Sequence, residues 1–207
     1  MNEILRGIKN IIFDLGEVIV DLDILATERA FNALLPATSN SIYSYTSQAP
    51  IFDLLETGKV SQQQFRDEFR KHSDSDITDA QIDDAWNAML IRIPERKIQL
   101  VQNLRLNYKT FVLSNTNKIH IDFVNAKLLP SHQLKDLNEI FDFVYLSHEI
   151  GERKPNAAAF NYVIEKHQLE PQAILFIDDK FENIETAAKL GIQTWHLINR
   201  EDLYDLY

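Results

Sequence analysis

The stretch NIIFDLGEVIVDLD, residues 10–23, begins with an apolar run that ends on an acid, Asp14, with a glycine two residues later. A short run of Ile and Phe bounded by polar residues suits a strand covered on both faces. An acid at the end of such a strand is either a turn former or a group held out for chemistry. The rest of the chain decides between the two. Four more runs have the same character: TFVLS (110–114), FDFVYLS (141–147), AILFI (173–177) and TWHLI (194–198).

Helical patterns lie between these runs. PERKIQLVQNLRLN (94–107) starts with Pro94 as its expected first helical residue, and KPNAAAFNYVIEKHQ (154–168) repeats the proline start. FENIETAAKLG (181–191) closes on Gly191, a residue suited to the position just past a helix end. Strand alternating with helix predicts an α/β fold, a three-layer α/β/α domain with a doubly wound parallel sheet. Residues 24–92 break the alternation. SQQQFRDEFRKH and TDAQIDDAWNAML each open with a capping box, and DILATERAFNALL is also helical in spacing. The first strand is thus expected to be separated from the others by a helical insert of roughly seventy residues, far longer than an ordinary connection.

Composition narrows the function. The 207 residues carry a formal net charge of −10 with no local basic cluster, which argues against a nucleic-acid partner. There are no cysteines, so thiol nucleophiles, thiolate metal sites and disulfides are excluded. No leader-like or membrane-length apolar segment is present, and a soluble cytoplasmic protein is expected. The six histidines lack i, i+3 or i, i+4 spacing for zinc, and the five glycines form no dinucleotide or P-loop motif. HSDSDITDAQIDDA (72–85) fails as a calcium loop, because Asp79 stands where the turn glycine belongs. Ser114 has no GxSxG elbow around it. Tyr43, Tyr45, Phe52 and Trp86 are expected to form the core of the insert in preference to a pocket wall.

In open α/β sheets ligands bind beyond the carboxyl ends of the strands. The residues there are Asp14, Ser114 with Asn115, and Asp178 with Asp179; Lys154 follows the FDFVYLS run. One such residue is readily a cap, whereas this set in chain order resists that explanation. FDLGEVIVD, VLSNTN, GERKPNAAAF and FIDDKFENIETAAKLG resemble, in order, the four motifs of the haloacid dehalogenase superfamily. The likeness runs from residue 10 to about 196 and is nearest to the branch of sugar-phosphate phosphatases and epoxide-hydrolase N-terminal domains. It implies a core of residues 1–21 and 94–207 with a helical cap over 22–93.

The resemblance also implies a Mg²⁺-dependent phosphatase acting on a small phosphorylated metabolite through an aspartyl-phosphate. Asp14 would be the nucleophile, and Ser114, Asn115 and Lys154 would hold the phosphoryl group. Asp14, Asp179 and the Gly16 carbonyl would hold the ion. Asp178 would either ligate or orient Lys154, and Asn183 would ligate or support from behind. Most such phosphatases have a second aspartate where Gly16 stands, to protonate the leaving group. Without it, three readings remain: an enzyme for easy leaving groups such as a sugar 1-phosphate, substitution by Glu17, or a phosphate-binding protein with little turnover. A dehalogenase is the other enzymatic alternative. Gly16 is also expected to let the chain leave the strand at positive φ.

Overall fold

The computed structural model describes residues 3–35, 43–44, 47–48, 50–73 and 76–206, with the backbone alone for 43–44 and 47–48. The elements, in chain order, begin with strand β1 (Asn10–Phe13) and strand β2 (Asp21–Leu22). Helix α1 (Ile24–Leu34), the short pair β3 (Tyr43–Ser44) and β4 (Ser47–Gln48), and helices α2 (Pro50–Glu56), α3 (Gln62–Arg70) and α4 (Asp79–Asn87) follow. Next come β5 (Leu90–Arg92), α5 (Glu95–Leu104), β6 (Lys109–Ser114) and α6 (Lys118–Phe123). The chain ends with β7 (Phe143–Leu146), α7 (Ser147–Ile150), α8 (Ala157–His167), β8 (Ile174–Asp178), α9 (Phe181–Lys189) and β9 (Gln193–His196).

The five long apolar runs form one parallel sheet in the order β7-β6-β1-β8-β9. Side-chain alternation along each strand supplies two cores. Ile11, Phe13, Val112, Leu175 and Ile177 face Ile98, Val101 and Leu104 of α5. Ile12, Phe111, Leu113 and Phe176 face Phe160 and Val163 of α8 and Ala187 of α9. Strands sandwiched in this way read as unbroken apolar runs, which is why they were legible. The chain leaves β1 in both directions, to β6 and β7 on one side and β8 and β9 on the other, so β1 is the switch point.

The insert has its own core, built on Phe31, Phe52, Phe65, Phe69, Ile82 and Trp86, with Ile119 of α6 joining it. Phe52 and Trp86 are buried there as expected, though Trp86 also lines the cavity beside Gly16 and Ser114, whereas the Tyr43 side chain and Tyr45 lie outside the described residues. Both expected capping boxes are formed: Ser61 and Gln64 at α3, Thr78 and Gln81 at α4. The HSDSDITDAQIDDA stretch divides into the α3 exit and capped α4; its residues 74–75 lie outside the described set. The insert is not purely helical, because β2 pairs antiparallel with β5 where the chain enters and leaves it, and β3 pairs with β4.

Two proline readings change. Pro94 is the N-cap of α5, one residue earlier than expected. Pro155 lies outside α8, which starts at Ala157 on an Asn156 cap whose side chain accepts from the Ala158 N–H. Gly191 does occupy left-handed backbone at the end of α9, with φ 81°. The C-terminal Arg200–Leu206 turn docks on the core through buried Leu203 and Leu206. Among the described residues, no helix is long and apolar enough to cross a membrane.

Candidate active site

Phe13 is in register with Val112 of β6 and Ile177 of β8, so Asp14 and Asp178, each one residue on, and Ser114, two residues past Val112, come to the same edge of the sheet. The Asp14 N–H still donates to the Ile177 carbonyl at 2.9 Å, which fixes the acid as the last ordered position of the strand. Ser114 and Asp178 end their strands beside it. Lys154 reaches this edge from the loop between α7 and α8, fastened by a reciprocal pair of bonds. Its N–H donates to Asn115 Oδ1 at 2.8 Å, and its carbonyl accepts from Asn115 Nδ2 at 2.7 Å. Ser147 braces the same turn, accepting from the Thr116 N–H and donating to the Thr116 carbonyl, each at 2.9 Å.

The Lys154 ammonium is 1% exposed and lies between two carboxylates, 2.8 Å from Asp14 Oδ1 and 2.7 Å from Asp178 Oδ2. Burial works against its charge, but the two carboxylates more than offset that and hold its pKa above the ordinary lysine value. Burial likewise pushes the Asp14 carboxyl up to about 6, against the pull of Lys154 and with a further push from Asp178. Asp179 is also raised, by burial and then by Asp178.

Asp14, Asp178 and Asp179 each present an oxygen within 4.8 Å of the others. Three carboxylates and one ammonium leave uncompensated negative charge, and among the described residues Asp179 makes no salt bridge. Hard oxygen donors clustered in this way fit Mg²⁺. The three are not equivalent, however. Asp178 accepts four bonds: from Lys154 Nζ, from the Lys180 N–H at 2.8 Å, and from Asn183 Nδ2 at 3.0 Å to each oxygen. Three donor groups thus engage both oxygens of the carboxylate, the Asn183 amide straddling the pair. Asp178 is therefore near enough to an ion but already satisfied, which favours its orienting role over ligation. Asn183, in turn, spends its amide donor on Asp178.

Gly16 differs from expectation. The left-handed residue of the turn is Glu17, at φ 61°, and not Gly16. At Gly16 the tight feature is space: a Cβ there would lie 3.0 Å from Leu22 Cδ1, so that side chain would have to shift by a few tenths of an ångström. The Glu17 carboxylate is 2.5 Å from Arg200 Nε and lines a cavity with Asp179 and His196. A second cavity, of about 130 Å³, contains Gly16, Ser114, Asn115 and Thr116. Two residues not singled out from sequence, Lys180 and Glu56, also line it. Lys180 directly follows the acidic pair and was open to suspicion on that ground. Glu56 lies in the insert, where no spacing rule pointed to it.

The profile of the haloacid dehalogenase-like hydrolases matches residues 8–191. The chain belongs to that family. A D-ribitol-5-phosphate phosphatase from Bacteroides thetaiotaomicron is 33% identical over 94% of each chain. Among solved structures, a HAD family enzyme from the same organism, crystallised with magnesium and inorganic phosphate, is 34% identical with a TM-score of 0.83. That likeness covers 91% of this chain and 93% of the other. A HAD-like hydrolase from Porphyromonas gingivalis is also 34% identical, with a TM-score of 0.81 over 91% and 90% of the two chains. The family's three-layer core around a parallel sheet is the fold found here.

Proposed function

We propose that the chain is a magnesium-dependent phosphoric monoester hydrolase acting on a small phosphorylated metabolite, a sugar or sugar-alcohol phosphate. The observation that carries this is Lys154 held between Asp14 and Asp178, with the Asp179 carboxylate within reach, at the switch point of the sheet. The relatives support it, one by its name and one by the magnesium and phosphate in its crystals.

Asp14 attacks phosphorus through a carboxylate oxygen as the ester P–O bond breaks, giving an aspartyl-phosphate that water then hydrolyses. Its nearness to Lys154 keeps it anionic near neutral pH while tempering its repulsion by the phosphate. Ser114 and the Asn115 N–H hold phosphoryl oxygens, and Lys154 adds a fixed positive charge. Asp14, Asp179 and the Gly16 carbonyl are the groups to hold Mg²⁺, with Asp178 and Asn183 setting the position of Lys154. The ion would neutralise phosphoryl charge. A dehalogenase would not need this acidic cluster, and a pure binding protein would not need a carboxylate aimed at phosphorus.

The same reading takes residues 22–93 as a cap and residues 1–21 with 94–207 as the core, supported by the insert's own apolar cluster, which Ile119 of the core joins. A cytoplasmic setting without a nucleic-acid partner belongs to it as well, supported by the net charge of −10 and the lack of cysteines. The test is phosphate release with and without Mg²⁺ from ribitol 5-phosphate, glucose 1-phosphate and glucose 6-phosphate, with Asp14→Asn as the blank. Release from at least one ester, abolished in the blank and by chelation, is expected. No release from any would sink the reading. Preference for glucose 1-phosphate would mark an enzyme confined to easy leaving groups, whereas turnover of ribitol 5-phosphate would require a proton donor elsewhere in the site.

A further inference from the structure

Cleaving an alkyl phosphate calls for a proton delivered to the leaving oxygen and another taken from the attacking water. Gly16 has no group for either task, and the Glu17 carboxylate is engaged by Arg200 in the other cavity. Among the described residues lining the cavity that holds Gly16, Ser114 and Asn115, the one carboxylate is Glu56, at the end of α2. Glu56 is 8% exposed, an unusual place for a glutamate in a surface helix. Its Oε2 is 3.1 Å from Arg153 Nη2, yet this buried oxygen accepts no well-directed hydrogen bond among the described residues.

Its position over the motif residues is built in. Gly58, two residues on, lies at φ 66° with its Cα face against the His148 carbonyl of α7. Arg153 pairs with both Asp53 and Glu56 of α2, and it directly precedes Lys154. One loop therefore positions the buried lysine of the core and the buried acid of the insert. Four charged groups act on Glu56: Arg153 and Lys180 favour its ionised form, Asp53 and Asp14 oppose it. Burial outweighs them and raises its pKa above the usual glutamate value.

We propose that Glu56 is the general acid and base of this site, supplied by the insert in place of the group that Gly16 lacks. The proposal rests on the phosphatase reading above. In the first step an Asp14 oxygen bonds to phosphorus, the ester P–O bond breaks, and protonated Glu56 gives its proton to the departing oxygen, releasing a neutral alcohol. In the second, the Glu56 carboxylate takes a proton from water as the water oxygen bonds to phosphorus. The P–O bond to Asp14 then breaks, releasing inorganic phosphate and restoring both carboxyl groups. An acid buried in the cavity that holds Gly16, Ser114 and Asn115, with its pKa lifted by desolvation, is suited to both transfers.

The experiment compares full-length wild type with Glu56→Gln in Mg²⁺, on ribitol 5-phosphate and on p-nitrophenyl phosphate, whose leaving group needs no proton. Stopped-flow reads nitrophenolate release in the first turnover. The alkyl ester should slow on the order of 10²–10⁴-fold, and first-turnover release from the aryl ester by less than about tenfold. Glu56→Asp, which keeps a carboxyl, should recover part of the alkyl rate; it also carries the test if the glutamine variant does not fold. Equal losses on both esters, or no loss on either, would overturn the proposal while leaving an active wild type as a phosphatase. A wild type inactive on both esters would overturn the proposal, and one inactive on the two glucose phosphates as well would overturn the phosphatase reading with it.

Discussion

Gly58→Ala probes how the insert is seated on the core. Gly58 is left-handed, at φ 66°, and an added Cβ would fall inside contact distance of the His148 carbonyl oxygen and 3.2 Å from its carbon. Left-handed backbone costs a residue with a Cβ about 1–2 kcal/mol. The clash is with backbone, so a side-chain rotation cannot relieve it. The turn after α2 must lift from α7 by roughly an ångström, a displacement large enough to cost on the order of 10²-fold when it moves a reacting group. Chemical denaturation should show a loss of about 1–3 kcal/mol, from strain and from weakened Arg153 pairs to Asp53 and Glu56. Phosphate release should fall on the order of 10²-fold, although α9 and the strand ends are left in place. A variant with wild-type stability and turnover would refute the seating argument, and with it the account of how Glu56 is held.

Three further outcomes are expected. Lys154→Met leaves buried Asp14 and Asp178 facing each other without a cation, so a stability loss of about 3–5 kcal/mol in urea unfolding should accompany loss of phosphate release. Asp21 receives Lys97 Nζ at 2.9 Å and Arg92 Nε at 3.0 Å, and these bonds outweigh burial to hold its pKa below the ordinary aspartate value. Its stabilisation is thus present above the unfolded pKa and lost as pH falls through the folded one; Asp21→Asn should cost about 3 kcal/mol at pH 7 and less in acid. His120 is buried against Trp86, with Nδ1 donating to Asn87 Oδ1 at 3.0 Å, and burial lowers its pKa to about 3. The unfolded chain binds that proton first, so stability should fall below pH 6.5 by up to about 1.4 kcal/mol per pH unit, a slope that His120→Gln reduces in pH-dependent melts.

How much of this was legible depended on the range of the signal. β1, β6 and β8 were readable because a strand buried on both faces must be apolar throughout, and Asp14, Ser114 and Asp178 followed as the residues that end them. The two capping boxes were readable because a cap is a contact between neighbours three residues apart. Pro155 misled because proline fixes its own φ without saying whether a helix starts there or one cap later, and Asn156 supplied that cap. The β2–β5 pair was hidden because two residues carry no periodicity. Glu56 was hidden for a different reason. Its neighbours Arg153 and Lys180 are supplied by the core, and nothing local in LLETGK distinguishes a buried acid from a solvated one. Glu17 shows the limit of local geometry: an extended chain would have turned its side chain away from the site, but its left-handed backbone makes that argument inapplicable, and the Arg200 pair decides where it goes.

The carboxylates at the strand ends divide their work by what already surrounds them. Asp178 is fully buried and receives four hydrogen bonds, so on the proposed reading its function is spent on holding Lys154, Lys180 and Asn183 in register. Asp14 receives Lys154 on one oxygen, and among the described residues Asp179 makes no salt bridge. Those two therefore retain lone pairs for an ion or a phosphorus atom, although all three acids lie within the same few ångströms. Burying them together is costly without a partner, and one lysine compensates only in part. The site is in this sense incomplete by charge: a divalent cation lowers the cost of Asp14 and Asp179, and the cation with Lys154 then accommodates a phosphate dianion. Gly16 fits the same economy of space. With no side chain beside the nucleophile, Leu22 packs against the turn, and the proton-carrying carboxyl comes from across the cleft, on a helix whose seating depends on Gly58.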